Sequence, residues 1–132
     1  HRTLKIGGKI IMIEPFNSLW GQLISRFSHY EKFNPKAGWK IEGEGRMSDS
    51  NTALPWIIFV RDQKVFQKKF PKLKIVKILS HSPFKYLTSG GLTKYQFLPN
   101  FTYPLIRWFD DFISKLFPQI SMFVTIEIEK VK

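Results

Sequence analysis

Cysteine does not occur in this chain. That removes disulfide staples, thiolate nucleophiles and thiolate metal ligands together. Histidine is scarce too: His1, His29 and His81 are scattered, with no i, i+4 pair and no metal-ligand spacing, which argues against a metal centre. There is no G-x-S-x-G elbow, which argues against serine hydrolase chemistry. No apolar run approaches the roughly 18–20 residues that a helical membrane span needs; the longest are Ile10–Ile13 and Trp56–Val60. The opening residues carry no signal-peptide pattern, so the acceptor-like Asn100-Phe101-Thr102 reads as a chance match. Together with the missing cysteine, this sets the expectation of a cytoplasmic chain, with a membrane-peripheral placement left open. Acidic residues are the last shortage. Ten of them face 21 lysines and arginines, a net charge of +11. Such a charge admits nucleic acid, anionic membrane surfaces or acidic substrates as partners and says nothing about fold.

What is present is apolar and aromatic. Hydrophobic residues make up 43% of the 132 and aromatics 16%, enough for one packed domain. The opening stretch, RTLKIGGKIIMIEPF, reads as the last turn of a helix, a glycine stop at Gly7-Gly8, and a strand. Ile10-Ile11-Met12-Ile13 is a continuous apolar run, the pattern of a strand covered on both faces of a parallel sheet. Pro15 ends it. A central strand of that kind needs neighbours from later in the chain or from residues outside it.

Asn17 and Ser18 are helix caps. Trp20, Leu23, Ile24 and Phe27 then recur at helical spacing, before a stop ahead of Pro35. Residues 35–52 are polar and rich in Gly, Ser, Asp and Asn, as in an irregular loop. Ala53–Asp62 suits a short strand or a buried helical turn, and periodicity leaves both open. Leu73, Ile75, Val76, Ile78 and Leu79 suggest a strand. Pro104 opens a helix whose apolar face comprises Leu105, Ile106, Phe109, Phe112, Ile113, Leu116 and Phe117. Val124, Ile126 and Ile128 alternate with Thr125, Glu127 and Glu129, the signature of a half-buried strand.

The element order, with RTLKIGGKIIMIEP, ALPWIIFVRD, YLTSGGL and the terminal MFVTIEIEK, resembles the C-terminal half of the class I, Rossmann-like S-adenosylmethionine-dependent methyltransferases, in an uncharacterised bacterial subgroup. In that superfamily a hydrophobic-Lys-Pro-Gly-Gly turn leads into the fifth strand; here Ile6 stands where the proline is usual. The resemblance implies an α/β fold: the fifth to seventh strands of a partial methyltransferase sheet, with their helices. The last two strands would form an antiparallel hairpin, with the final strand beside the fifth. It implies one C-terminal domain portion spanning 1–132, with 35–72 as an insertion on the acceptor side.

Cofactor loops of dinucleotide type need a glycine-rich turn after the first strand and an acidic residue on the next. No G-x-G-x-G occurs, and Gly43-Glu44-Gly45 follows no apolar strand. The expectation is therefore that the first half of the domain is absent, that S-adenosylmethionine binds in upstream residues, and that the fragment alone is inactive and self-associates through an open strand edge. The acceptor would be a small or lipid-linked molecule.

Ligands of open α/β sheets bind beyond the carboxyl ends of the strands. That makes Glu14, Phe16 and Asn17 the first pocket candidates, followed by His29, Tyr30 and Asn51. Each has a plainer reading. Glu14 pairs with a lysine or caps a helix, His29 is a solvated cation at a helix end, Tyr30 packs, and Asn51 makes a turn. The competing function is a non-catalytic basic module. Arg61, Lys64, Lys68, Lys69, Lys72, Lys74 and Lys77, with Phe66 and Phe70 interleaved, would bind an anionic membrane surface or single-stranded nucleic acid through 61–77. The plainer alternative is a solvated surface with both phenylalanines turned to the core.

Overall fold

The computed structural model describes residues 3–28, 32–40, 51–91 and 95–132. Among them the chain is a mixed α/β structure around a three-stranded antiparallel sheet, ordered β1-β3-β2. The strands are β1 (Lys9–Pro15), β2 (Leu73–His81) and β3 (Phe123–Lys130). The alternation in β3 decides the core. Val124 and Ile126 are fully buried and Ile128 nearly so, while the residues between them lie on the opposite face. β1 pairs along one side of β3, from Lys9 opposite Glu129 to Pro15 opposite Phe123. β2 pairs along the other, from Leu73 opposite Lys130 to His81 opposite Phe123, with an irregularity between Ile75 and Lys77. Gly7 adopts φ +76, a conformation open to glycine at little cost, and its N–H donates to the Lys130 carbonyl. The glycine turn therefore steers the chain into β1 against the end of β3. Thr3 to Lys5 is not helical, so the expected helix end is not found in the described residues.

Among the described residues five α-helices accompany the sheet. α1 (Leu19–Ser28) begins where Ser18 Oγ accepts the Gly21 N–H at 2.8 Å, the N-cap geometry. The same hydroxyl donates to the Ser121 carbonyl and ties the helix start to the approach to β3. A side chain at Gly21 would sit 2.5 Å from the Phe16 carbonyl, so only glycine allows this turn to close. Ala53–Asp62 resolves as helical rather than extended. Asn51 accepts the Ala53 and Leu54 N–H groups, the first through its side chain and the second through its carbonyl. Pro55 lies in the first turn of α2 (Leu54–Trp56), where its missing N–H costs nothing. A π-helical turn, Ile57–Arg61, leads into α3 (Gln63–Lys69).

This helical run roofs one face of the sheet. Phe66 is buried with Leu73, Val124, Ile126 and Ile128, and Ile10, Met12, Phe16, Trp39, Phe59 and Ile75 pack around them. Phe66 meets Phe59 edge-on at 5.0 Å and Phe70 at 5.2 Å. The stretch 35–72, expected as an insertion, thus supplies Trp39, Phe59 and Phe66 to the core.

Between β2 and β3 the chain makes a long excursion through α4 (Lys85–Thr88) and α5 (Tyr103–Leu116). No helix among the described residues is long and apolar enough to cross a membrane.

Two expectations are corrected here. β1 is not covered on both faces among the described residues: Ile11 and Ile13 are 65% and 63% exposed, and β3 is its one strand partner. Its apolar run is continuous, yet only the Ile10 and Met12 face meets the core. In α5 the expected apolar face is not the face that docks. Asp110 and Ser114 are buried, while Leu105, Phe109, Phe112 and Leu116 point outward. The reason is a polar anchor. Asp110 Oδ1 accepts the N–H groups of Phe84 and Lys85 and so caps α4 from outside it. Ser114 Oγ donates to the Asp110 carbonyl at 2.7 Å.

Candidate functional site

The sheet's chemistry converges where β1 and β2 end and β3 begins. Glu14 lies one residue from the end of β1, opposite Val124 and half-buried on the core side. Burial pushes its carboxyl above the usual carboxylate range, and among the described residues it has no ion-pair partner. Phe16 donates its N–H to the Met122 carbonyl at 2.8 Å and packs its ring against the core. Asn17 Oδ1 accepts from Gln22 Nε2 at 2.9 Å, a contact across the start of α1. These three stay together at one strand end. Asn51 does not join them as a free pocket group. Its Oδ1 takes the Asn34 and Ala53 N–H groups and its Nδ2 donates to the Asn34 carbonyl, so its amide is spent on holding two backbone segments. His29 and Tyr30 lie outside the described residues.

On the opposite face of the same strand ends is an open cavity of about 340 Å³, lined by Ile13, His81, Lys85, Tyr86, Tyr103 and Phe123 among others. His81 closes β2 and lines the cavity half-buried. Its Nδ1 lies 2.7 Å from Ser82 Oγ and its Nε2 2.9 Å from Thr125 Oγ1. Burial first, and then the Lys85 charge, pull its pKa below the usual histidine value, which favours the neutral ring. Ser82 holds its hydroxyl there from a left-handed backbone, φ 60, rare for a residue with a side chain. The Phe123 ring lies near-parallel to His81 at 6.4 Å and takes the Tyr86 edge at 4.8 Å.

Lys85 brings the cation. Its Nζ is 3.4 Å from Asp111 Oδ1 and 4.0 Å from Asp110 Oδ2. Asp110 is fully buried, and burial raises its pKa against the pull of the Phe84 and Lys85 N–H groups. Its Oδ2 has no hydrogen-bond partner among the described residues. The cavity thus offers aromatic walls, one neutral imidazole and one ammonium, a set suited to a partly apolar molecule carrying hydroxyl or anionic groups. His81 can exchange a proton with a bound hydroxyl only by giving up Ser82 or Thr125. No group of three metal-ligating side chains exists among the described residues.

The sequence reading missed this cavity. The strand-end rule points from β1 to Glu14, Phe16 and Asn17; at the end of β2 it points equally to His81, with Lys85 and Tyr86 four and five residues on.

The basic segment is less free than its composition suggests. Arg61 pairs with Asp62 at 2.7 Å and donates to the Pro35 and Ala37 carbonyls. With help from the Trp39 indole N–H, that guanidinium holds the Asp62 carboxyl down at about 2. Lys69 sits over the Trp39 ring at 4.8 Å. Lys74 and Lys77 stand opposite Glu129 and Glu127. Phe66 is 4% exposed and turned to the core, so it offers no face on which a base could stack.

No family model, curated protein or solved structure matches the chain.

Proposed function

We propose that this chain is the acceptor-side portion of a Rossmann-like S-adenosylmethionine-dependent methyltransferase. The observation that carries the reading is the strand order. β3, last in sequence, lies between β1 and β2 and runs antiparallel to both. That is the arrangement the resemblance implies for the fifth, seventh and sixth strands. Two features add support. The outer edge of β1 has no strand partner among the described residues. The cavity around His81 opens at the ends of β1 and β2, the side on which open α/β sheets take their ligands.

The residues here do not fit the cofactor itself. β1 leads into α1 through Phe16-Asn17-Ser18, and β2 into α4 through Ser82-Pro83-Phe84; neither connection has glycines to let backbone approach a ligand. No step of methyl transfer is therefore routed through these residues. In this reading the cofactor half precedes β1 and pairs with its open edge. The His81 cavity positions a small or lipid-linked acceptor.

The test begins with the reading frame upstream of His1. The expected find is an apolar strand, a G-x-G-x-G turn and an acidic residue about twenty positions further on. The polypeptide that includes it should bind S-adenosylmethionine in a calorimeter. His81→Ala and Tyr86→Ala should then reduce methyl transfer while leaving cofactor affinity unchanged. An unrelated upstream sequence, or no cofactor binding by the longer polypeptide, removes the reading.

A further inference from the structure

Helix α5 is turned inside out. At 3.6 residues per turn, Leu105, Trp108, Phe109, Phe112 and Leu116 fall in one stripe. All five are exposed, Trp108 by 64% and Leu105 by 69%. Phe101, in the turn that leads into the helix, is 83% exposed. The residues turned inward are Asp110 and Ser114. Trp108 and Phe112 stack on one another at 5.8 Å, so the stripe presents an ordered aromatic surface to the outside. A helix that lives wholly in water does the reverse.

Its charges suit one kind of cover. Lys115 borders the stripe, and Arg107 lies further round the helix. Asp111, the other acid of the helix and half-buried, lies 3.9 Å from Arg107 and 3.4 Å from Lys85 and is neutralised by them. The chain as a whole carries +11. The helix has 14 residues, too few to span a bilayer. Trp, Phe and Leu on one face, with Lys115 beside them in a strongly basic chain, is the make-up of a helix that lies in the headgroup plane. Nor does the open edge of β1 account for the stripe. α5 packs on β2, which β3 separates from β1.

We propose that α5 seats this protein on an anionic membrane surface, with the Leu105–Leu116 stripe buried among the acyl-chain boundary and the basic surface drawn to the headgroups. The inference rests on α5 and the chain's charge, and it stands or falls apart from the methyltransferase reading.

The experiment uses the full-length protein. It is sedimented at low ionic strength with vesicles of phosphatidylcholine alone and of phosphatidylcholine mixed with phosphatidylglycerol. Binding to the mixed vesicles is expected, weakening as salt is raised. The double variant Trp108→Ser, Phe112→Ser should lose roughly tenfold or more in affinity. The charge variant Lys64→Glu, Lys68→Glu should lose less. Brominated lipid should quench tryptophan fluorescence in the unsubstituted protein, and Trp108→Phe alone should remove much of that quenching; this second readout does not depend on the double variant folding. Three results overturn the proposal. One is no binding to mixed vesicles at low salt. Another is binding that the double variant retains in full. The third is a dimer in solution, without vesicle binding, that the double variant dissociates; the stripe would then face a second copy of the chain.

Discussion

α3 and α5 solve the same problem in opposite ways. α3 is mostly polar and charged and docks through one buried ring, Phe66. α5 is mostly apolar and docks through a buried carboxylate and a buried hydroxyl, Asp110 and Ser114. Apolar content alone therefore does not choose the face a helix buries. In α3 the choice follows the core, because Phe66 fills the space over Leu73, Val124, Ile126 and Ile128. In α5 it follows a hydrogen-bonding need, because the first N–H groups around α4 must find an acceptor. The outward stripe of α5 is what remains, and it marks a surface still to be covered.

The difference can be broken most directly at Phe66. Phe66→Ala should cost about 3–5 kcal/mol by denaturant unfolding, from lost transfer energy plus the cavity left behind. A loss under about 1 kcal/mol would mean the site collapses freely and α3 is not anchored by its ring. Asp110→Ala comes next, at about 1–3 kcal/mol, because it strands the Phe84 and Lys85 N–H groups. Asp110→Asn sharpens the point. It keeps an acceptor oxygen and removes a buried charge that already favours its proton, so it should unfold nearer the unsubstituted protein than to the alanine variant. If both variants lose equally, charge rather than capping holds α5.

Ser18→Ala should cost about 1 kcal/mol by thermal unfolding, the usual worth of an N-cap side chain. His81 gives a gentler, pH-dependent effect, since its ring is only half-buried. Its folded pKa lies below the unfolded value of 6.5. The unfolded chain therefore binds the proton more tightly, and stability falls as pH is lowered from about 6.5 towards the folded pKa. His81→Asn should flatten that limb of the stability profile; an unchanged limb would assign it to other groups. Smallest of all, Trp108→Ser should leave stability within about 0.5 kcal/mol. A clear drop there would mean the stripe packs against the fold rather than facing outward.

Periodicity made some of this legible and not the rest. Val124, Ile126 and Ile128 alternate strictly, and a two-residue period has one face to bury, so β3 could be read directly. Ser18 could be read as a cap because capping is settled within three residues. Ile10–Ile13 misled for the opposite reason. A continuous apolar run reports that a strand could be covered twice, and only one face found a cover among the described residues. Ala53–Asp62 was ambiguous because a short apolar run fits either period; Asn51 and Pro55 decided it from outside the run. At the candidate site, Glu14, Phe16 and Asn17 were reachable because they end a visible strand. The cavity partners Ile13, His81, Tyr86 and Phe123 come from four places along the chain, and local pattern does not join them.

By itself the sequence determined which segments carry strand or helix periods, where the caps and the glycine turn fall, and a net charge of +11. Those are local or additive properties. The tertiary structure decided that β3 lies between β1 and β2, that His81 meets Thr125 and Phe123, and that α5 turns its aromatic stripe outward. Each of these depends on groups far apart in sequence competing for the same space or the same hydrogen bond, a competition settled only when the chain closes on itself.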